Sequence, residues 1–267
     1  MNILSAFIII TAMGLILGIG LAFAAKKLAV VKNEEQEKIE AALPGANCGA
    51  CGFAGCSAYA AAIFEEDDTP LNLCVPGGPE VASKIGEIMG KSVKVGDHKK
   101  QVAYVFCKGD CDSANRDFDY QGIEDCNAAA ILFDGENSCK EGCMHLGSCI
   151  SVCPVGALSY DDKKNIIVDR DLCIACGKCV DICPHNVIKL VDDDVEYVVA
   201  CNNHESGGKV RKECSVGCIG CKICEKKFPE SGCTVDKFLS TFDNDKPHSQ
   251  IAEAAAACPS KCIVKRR

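Results

Sequence analysis

Tryptophan is absent from the 267 residues, and aromatic residues make up only 6% of them. A conventional large core built on aromatic anchors is therefore excluded, and small lobes would need staples of another kind. No G-x-x-x-x-G-K-[ST] loop occurs, no G-x-G-x-x-G follows a strand pattern, and no nucleophile motif appears. A nicotinamide or flavin site is thus not expected. The five histidines, His98, His145, His185, His204 and His248, show no paired metal spacing. Net charge is −8, which argues against nucleic acid as the main partner. Charge is also missing locally: residues 1–25 contain no Asp, Glu, Lys or Arg.

That uncharged stretch predicts the first element. Ile3 to Ala25 reads ILSAFIIITAMGLILGIGLAFAA. At about 1.5 Å per residue it spans the roughly 30 Å of a bilayer's hydrocarbon. Lys26, Lys27 and Lys32 follow, and basic flanks mark the cytoplasmic side. A cleaved signal peptide would also end in small residues, but a basic leader is missing and the apolar run is long. A single-pass anchor in the cytoplasmic (inner) membrane is expected over 1–25, with the bulk of the chain inside. Gly14 and Gly18 have GxxxG spacing, suited to packing on another membrane helix. A helical stalk over Val30 to Leu43, within 26–44, ends at Pro44-Gly45, with Glu34 and Lys38 spaced to pair.

What the chain has in excess is cysteine, 23 residues of it. The count is odd, and cysteine-rich disulfide scaffolds are short and secreted, so metal or iron–sulfur ligation is the better reading. The first group is Cys48, Cys51, Cys56 and Cys74 within a domain over 45–100. Gly49, Gly52 and Gly55 would let backbone N–H groups approach bridging sulfides. A 4Fe–4S cluster is favoured there over zinc. The segment LPGANCGACGFAGCSAYA with the later CVPGG resembles the N-terminal iron–sulfur domain of the RnfB family, the B subunits of Rnf membrane complexes. Similar domains occur in corrinoid-linked and hydrogenase-related iron–sulfur proteins. The membrane helix and stalk ahead of the domain narrow the resemblance to RnfB.

After a connector over 101–138 come two runs within 139–200. They are Cys139-x3-Cys143-x5-Cys149-x3-Cys153-Pro154 and Cys173-x2-Cys176-x2-Cys179-x3-Cys183-Pro184. The second is the full bacterial ferredoxin motif, in which the fourth Cys of each run ligates the other cluster. The crossing rule assigns Cys139, Cys143, Cys149 and Cys183 to one cluster, and Cys173, Cys176, Cys179 and Cys153 to the other. Asn165 to Val168 and Val195 to Ala200 read as strands. The looser run, SCKEGCMHLGSCISVCPVGAL, is also similar to its RnfB counterpart.

The region 201–267 reads as a broken second pair. Cys218-x2-Cys221-x2-Cys224-x3 is followed by Phe228-Pro229, and a lone Cys258-Pro259 lies downstream. Under the crossing rule one cluster needs positions 218, 221, 224 and 258, all Cys. The other needs 228, 248, 251 and 254, which are Phe228, His248, Ile251 and Ala254. One complete ligand set is lost, so this module is expected to hold a single cluster. Phe228 and an Ala252 to Ala257 helix would fill the vacated space. The RnfB family shows a second ferredoxin pair here, and this chain departs from it. An alternative is a labile three-iron site on the triplet, with Cys258 and Cys262 incidental.

Five more cysteines bracket the ferredoxin pair, and four of them are candidates for a fifth cluster. Cys107, Cys126, Cys201 and Cys214 are favoured, with Cys111 the competing ligand. The segments FDYQGIEDCNAAA and KVRKECSVGCIGC carry the RnfB resemblance through this part. Cys233 and Cys262 remain as buried free thiols.

The expected fold class is α+β: an N-terminal transmembrane helix, a small iron–sulfur domain, a ferredoxin-like module of the two-4Fe–4S type, and a degenerate second ferredoxin module. Four clusters, with candidates for a fifth, suit one-electron transfer at low potential, near about −400 mV. The resemblance implies an Rnf complex passing electrons between ferredoxin and NAD, coupled to Na+ or H+ transport. It further implies soluble ferredoxin, other membrane subunits and flavoprotein subunits as partners, with no catalytic site on this chain. A membrane-tethered polyferredoxin serving a hydrogenase or a corrinoid-activating system is the alternative, and a zinc-rich interaction protein is a third class.

Overall fold

The computed structural model describes residues 3–27, 33–66, 68–93 and 99–266. The start of the expected stalk at Val30, together with Lys32 and His98, lies outside the described residues.

Helix α1 (Ile3–Lys27) carries the uncharged run. Mean hydropathy is 2.5 over Phe7–Ala25, and none of that span is buried against the rest of the chain. Among the described residues it is the one helix long and apolar enough to cross a membrane. Its polar hydroxyl is satisfied locally, Thr11 Oγ1 donating to the Phe7 carbonyl at 2.8 Å. Gly14 and Gly18 meet nothing, so the GxxxG face is open.

Three helices form the next lobe: α2 (Glu34–Ala42), α3 (Cys56–Glu65) and α4 (Gly78–Met89). Asn33 caps α2 by accepting the Glu35 N–H, and Glu34, Glu35 and Glu37 sit in its first turn, where the helix dipole favours acids. Within the described residues the stalk is helical over Glu34–Ala42, and its apolar side belongs to this lobe. Ile39 and Leu43 of that segment pack with Tyr59, Ile63, Leu71 and Ile85. The Tyr59 hydroxyl bridges the lobe, donating to the Pro70 carbonyl at 2.6 Å and accepting the Leu73 N–H at 3.2 Å.

The rest of the chain is built on four two-stranded antiparallel ribbons. Strand β1 (Gln101–Val105) is followed by the short helices α5 (Cys126–Ala130) and α6 (Ser148–Ser151), then β2 (Leu158–Tyr160), β3 (Ile166–Val168), α7 (Lys178–Asp181) and β4 (Ile188–Asp192). β1 pairs with β4, from Gln101 opposite Asp192 to Val105 opposite Ile188, and β2 pairs with β3. The connector expected over 101–138 is therefore partly integral, because its β1 closes the ferredoxin module.

β5 (Tyr197–Val199), α8 (Gly207–Glu213), α9 (Ile223–Lys226), β6 (Cys233–Asp236), β7 (Leu239–Phe242), α10 (Ile251–Ala257) and β8 (Ile263–Lys265) complete the chain. β5 pairs with β8, and β6 with β7. The strand expected over 195–200 thus forms, but it pairs with the last strand of the chain and not inside 139–200. The order β1-α6-β2-β3-α7-β4, with an outer and an inner ribbon, repeats as β5-α9-β6-β7-α10-β8. Helices α6, α7 and α9 each follow a left-handed residue: Gly147, Gly177 and Lys222.

Two-stranded ribbons are marginal alone in water. Here each pair of ribbons shares a small core in which cysteines sit among aliphatic residues. Cys149 and Cys179 lie with Ala103, Leu158, Val187 and Ile188 in one; Cys218, Cys224 and Cys262 lie with Val199, Leu239 and Ile263 in the other. Arg266 ties the two, its guanidinium donating to the Asp192 and Val195 carbonyls at 2.9 and 3.0 Å.

Candidate metal centres

All 23 cysteines are reduced, and only Cys111 and Cys221 are exposed. Twenty of them gather in five groups of four.

The first group is the one the sequence predicts. Cys48, Cys51 and Cys56 all lie within electrostatic reach of Cys74. Burial raises the Cys74 thiol above its ordinary range, and the three neighbouring sulfurs add to the rise. Cys56 opens α3, and its N–H donates to Asn47 Oδ1 at 2.9 Å. A side chain at Gly55 would come within 2.8 Å of that oxygen. Glycine there keeps the loop bond that sets Cys56.

Cys153, Cys173, Cys176 and Cys179 line a cavity of about 300 Å³, as the crossed runs predict. Backbone donors reach two sulfurs: Ala103 N–H to Cys173 Sγ at 3.4 Å, and Ala157 N–H to Cys153 Sγ at 3.3 Å. Burial first, then Cys173 and Cys176, pushes the Cys179 thiol up to about 12.

The next two groups correct the sequence reading. Cys139 does not join Cys143, Cys149 and Cys183. Cys149 is instead beside Cys126 and Cys183, and Cys143 also senses Cys126 and Cys149. Cys139 lies with Cys107, Cys201 and Cys214 around a second cavity, of about 310 Å³. The two residues Cys126 and Cys139 have traded places relative to the expectation. The cause is local. Asp125 caps α5 through the Ala128 N–H and accepts Ser148 Oγ at 2.8 Å, while Ser148 Oγ accepts the Cys126 N–H at 2.7 Å. That chain of bonds clamps Cys126 to the start of α6, beside Cys149. The wider spacing around Cys139 leaves it free to face the other way, and Gly142 lets the loop close: a Cβ there would lie 3.3 Å from Cys139 Sγ and 3.6 Å from Cys107 Sγ.

This fourth group is enclosed. Burial pushes the Cys107 thiol up to about 11 and the Cys201 thiol up to about 12. Asn203, only 2% exposed, donates from Nδ2 to Cys139 Sγ at 3.2 Å and to Glu213 Oε2 at 3.1 Å. No cysteine pattern could have revealed Asn203; its signal is the Cys201-Asn-Asn sequence, which places an amide two residues from a candidate ligand.

Cys218, Cys221, Cys224 and Cys258, the fifth group, line a third cavity. Ser240 N–H reaches Cys218 Sγ at 3.4 Å, and Ser240 Oγ lies 3.3 Å from Cys224 Sγ. Cys262 also lines this cavity, its Sγ 3.6 Å from Cys258 Sγ. Cys233 adjoins Cys224. The two spare thiols are thus not remote. Hydrogen bonds from Cys262 hold Cys258 low, at about 5, and Cys218 at about 6, while Cys262 itself is pushed far up. Cys111 stands apart, exposed beside Asp112.

Among the described residues, no three His, Cys, Asp or Glu side chains close to the spacing of a single ion. Zinc at about 2.3 Å from each sulfur would draw four thiolates tightly together. Four thiols gathered in each group, with backbone N–H donors reaching several of the sulfurs, fit iron–sulfur ligation.

Comparison with known proteins supports iron–sulfur binding in two of these stretches. Residues 43–76 match the family described as "Putative Fe-S cluster", and 166–189 match "4Fe-4S binding domain". The B subunit of the ion-translocating oxidoreductase complex of Methanosarcina acetivorans is 38% identical over 99% of this chain and 98% of its own length. The chain belongs to this B-subunit family. The B subunit of the proton-translocating ferredoxin:NAD(+) oxidoreductase complex of Clostridium ljungdahlii is 39% identical, over 98% of this chain and 92% of that relative. Its counterpart in the Na(+)-translocating ferredoxin:NAD(+) oxidoreductase complex of Acetobacterium woodii is 38% identical, over 96% of this chain and 75% of its own.

Proposed function

We propose that this B-subunit relative is a membrane-anchored electron wire with five 4Fe–4S clusters, serving an Rnf-type ferredoxin:NAD oxidoreductase complex coupled to ion transport. Each cluster, when bound, supplies a one-electron store. The ligand sets are Cys48/Cys51/Cys56/Cys74, Cys153/Cys173/Cys176/Cys179, Cys126/Cys143/Cys149/Cys183, Cys107/Cys139/Cys201/Cys214 and Cys218/Cys221/Cys224/Cys258.

The observation that carries this reading is that the five sets adjoin one another in a single file. Cys176 is within electrostatic reach of Cys48, which links the first set to the second. Cys149 senses Cys179, linking second to third. Cys107 Sγ accepts the Cys143 N–H, linking third to fourth. Cys201 Sγ accepts the Cys218 N–H at 3.3 Å, linking fourth to fifth. A file of one-electron sites with α1 at one end suits conduction between a soluble donor and membrane subunits.

The last module supports the same account. It repeats the element order of the first, yet Ile251 and Ala254 are buried in its core with Phe228 packed against them. Phe242 stacks edge-on to His248, with ring centroids 5.9 Å apart. Side chains occupy the place of the lost ligand set, which supports reading this as a ferredoxin module reduced to one cluster. The family relationship supports reduced ferredoxin as the electron donor and other members of the complex as acceptors. Lys26 and Lys27 support a cytoplasmic location for the iron–sulfur domains.

Iron and labile-sulfide analysis of the full chain, with EPR of the reduced protein, tests this. About twenty iron atoms per chain are expected from five clusters of four. Abundant zinc without reducible iron would overturn the reading.

A further inference from the structure

Charge is distributed unevenly along the file of cysteine sets. Residues 33–93 hold three Lys against ten Asp and Glu, a net of −7. Residues 94–200 hold eleven Lys and Arg against nineteen acids, a net of −8. Residues 201–267 hold twelve Lys and Arg against eight acids, a net of +4. In a chain of net charge −8, the last module alone of these three is positive.

The positive charge also sits where an electron would enter. Cys221 is the one exposed member of the twenty clustered cysteines. Lys222 lines the mouth of the same cavity with Pro259 and Ser260. Lys226, one turn on, donates its N–H to the Lys222 carbonyl at 2.9 Å. Lys261 follows Ser260, and its carbonyl accepts Lys108 Nζ at 3.3 Å, which brings a fourth lysine to the rim. Lys108, Lys222, Lys226 and Lys261 are all exposed, and none forms an ion pair among the described residues. The nearby Glu225 is turned toward the Val235 N–H, with Oε1 at 3.5 Å.

We infer that this lysine rim around Cys221 is the docking surface for a small acidic one-electron carrier protein, reduced ferredoxin in the proposed reaction. The inference rests on the electron-wire reading and adds where the donor binds. Complementary charge steers encounter and orients the partner, raising association rates by about 10- to 1,000-fold at low salt. The acidic lobes repel the same partner, so it cannot reach the middle of the file and bypass the end. One electron leaves the carrier's reduced cluster and one arrives on the Cys218/Cys221/Cys224/Cys258 set; no bond is made or broken.

The test uses full-length, cluster-loaded chain in detergent and a purified acidic 2[4Fe–4S] ferredoxin. Equilibrium binding is measured across a salt series. The triple variant K222E/K226E/K261E is expected to weaken binding at least tenfold at about 50 mM salt, and to flatten the salt dependence. The corresponding Gln variant should fall between, and K84E, on exposed α4, should match wild type. Iron content should be unchanged in all. If wild type binds ferredoxin and the triple variant binds equally well, the docking surface is refuted while the wire stands. Loss of binding to anionic lipid vesicles alone would also refute it. If wild type shows no ferredoxin binding or reduction at any salt, the donor assignment itself fails.

Discussion

Replacing Asn203 with Leu removes one hydrogen-bond donor from one cluster site without changing its ligand set. In the native chain Asn203 Nδ2 lies 3.2 Å from Cys139 Sγ, and Glu213 holds the amide in place at 3.1 Å. An N–H dipole aimed at sulfur favours the more negative, reduced state, so it raises the site's potential. A hydrogen bond to a charged group contributes about 1.5–3 kcal/mol. Only the part that strengthens on reduction moves the potential; a third to a half of it is about 0.5–1.5 kcal/mol. At about 59 mV per 1.4 kcal/mol for one electron, the midpoint should fall by about 20–60 mV. Glu213→Gln should move it the opposite way, because a negative charge close to Cys139 is removed. EPR-monitored redox titration of the intact chain reads both shifts. One midpoint should move and four should stay. A rise on Asn203→Leu, or the same sign for both variants, would refute the assignment of Cys139 to this site.

Three further outcomes are expected. Cys258→Ser should lower iron by about four atoms per chain, one cluster's worth, and unchanged iron would remove Cys258 from the ligands. Cys126→Ser should likewise lose about four while Cys111→Ser loses none, which makes Cys126 a cluster ligand and leaves Cys111 outside all five sets. Tyr59→Phe deletes a hydroxyl bonded to both Pro70 and Leu73 in a side chain only 1% exposed, and should cost about 1–3 kcal/mol in denaturant unfolding of the N-terminal lobe.

Much of the architecture is readable from residue order. Hydropathy alone marks α1, the spacing of Cys48, Cys51 and Cys56 marks a set that the fold brings together, and of the two crossed Cys-Pro sets the fold gathers Cys153 with Cys173, Cys176 and Cys179. Spacing fails where ligand choice depends on a loop and not on a run. Cys126 lies ahead of the dense motifs and Cys139 opens the loosely spaced run, and spacing cannot say which of two adjacent sites each will face. A hydrogen-bonded link from Asp125 through Ser148 to the Cys126 N–H decides it. The spares Cys233 and Cys262 illustrate the same limit, since their contacts with Cys224 and Cys258 come from ribbons closing at a distance. The place of β1 in the ferredoxin module is hidden from local pattern because its partner β4 lies more than eighty residues away.

That distant pairing sets a timetable for biogenesis. The lobe around Cys74 needs only residues up to about Met89 to close its core, so it can take iron while the rest of the chain is still being made. The first ferredoxin module waits for β4, and the last waits for β8, which is the final strand of all. Arg266 then fastens that strand to the carbonyls of Asp192 and Val195. Synthesis from a ribosome therefore closes the N-terminal lobe before the ribbon that completes the Cys221 site. Loss of β8 would leave β5 without its partner and that site open.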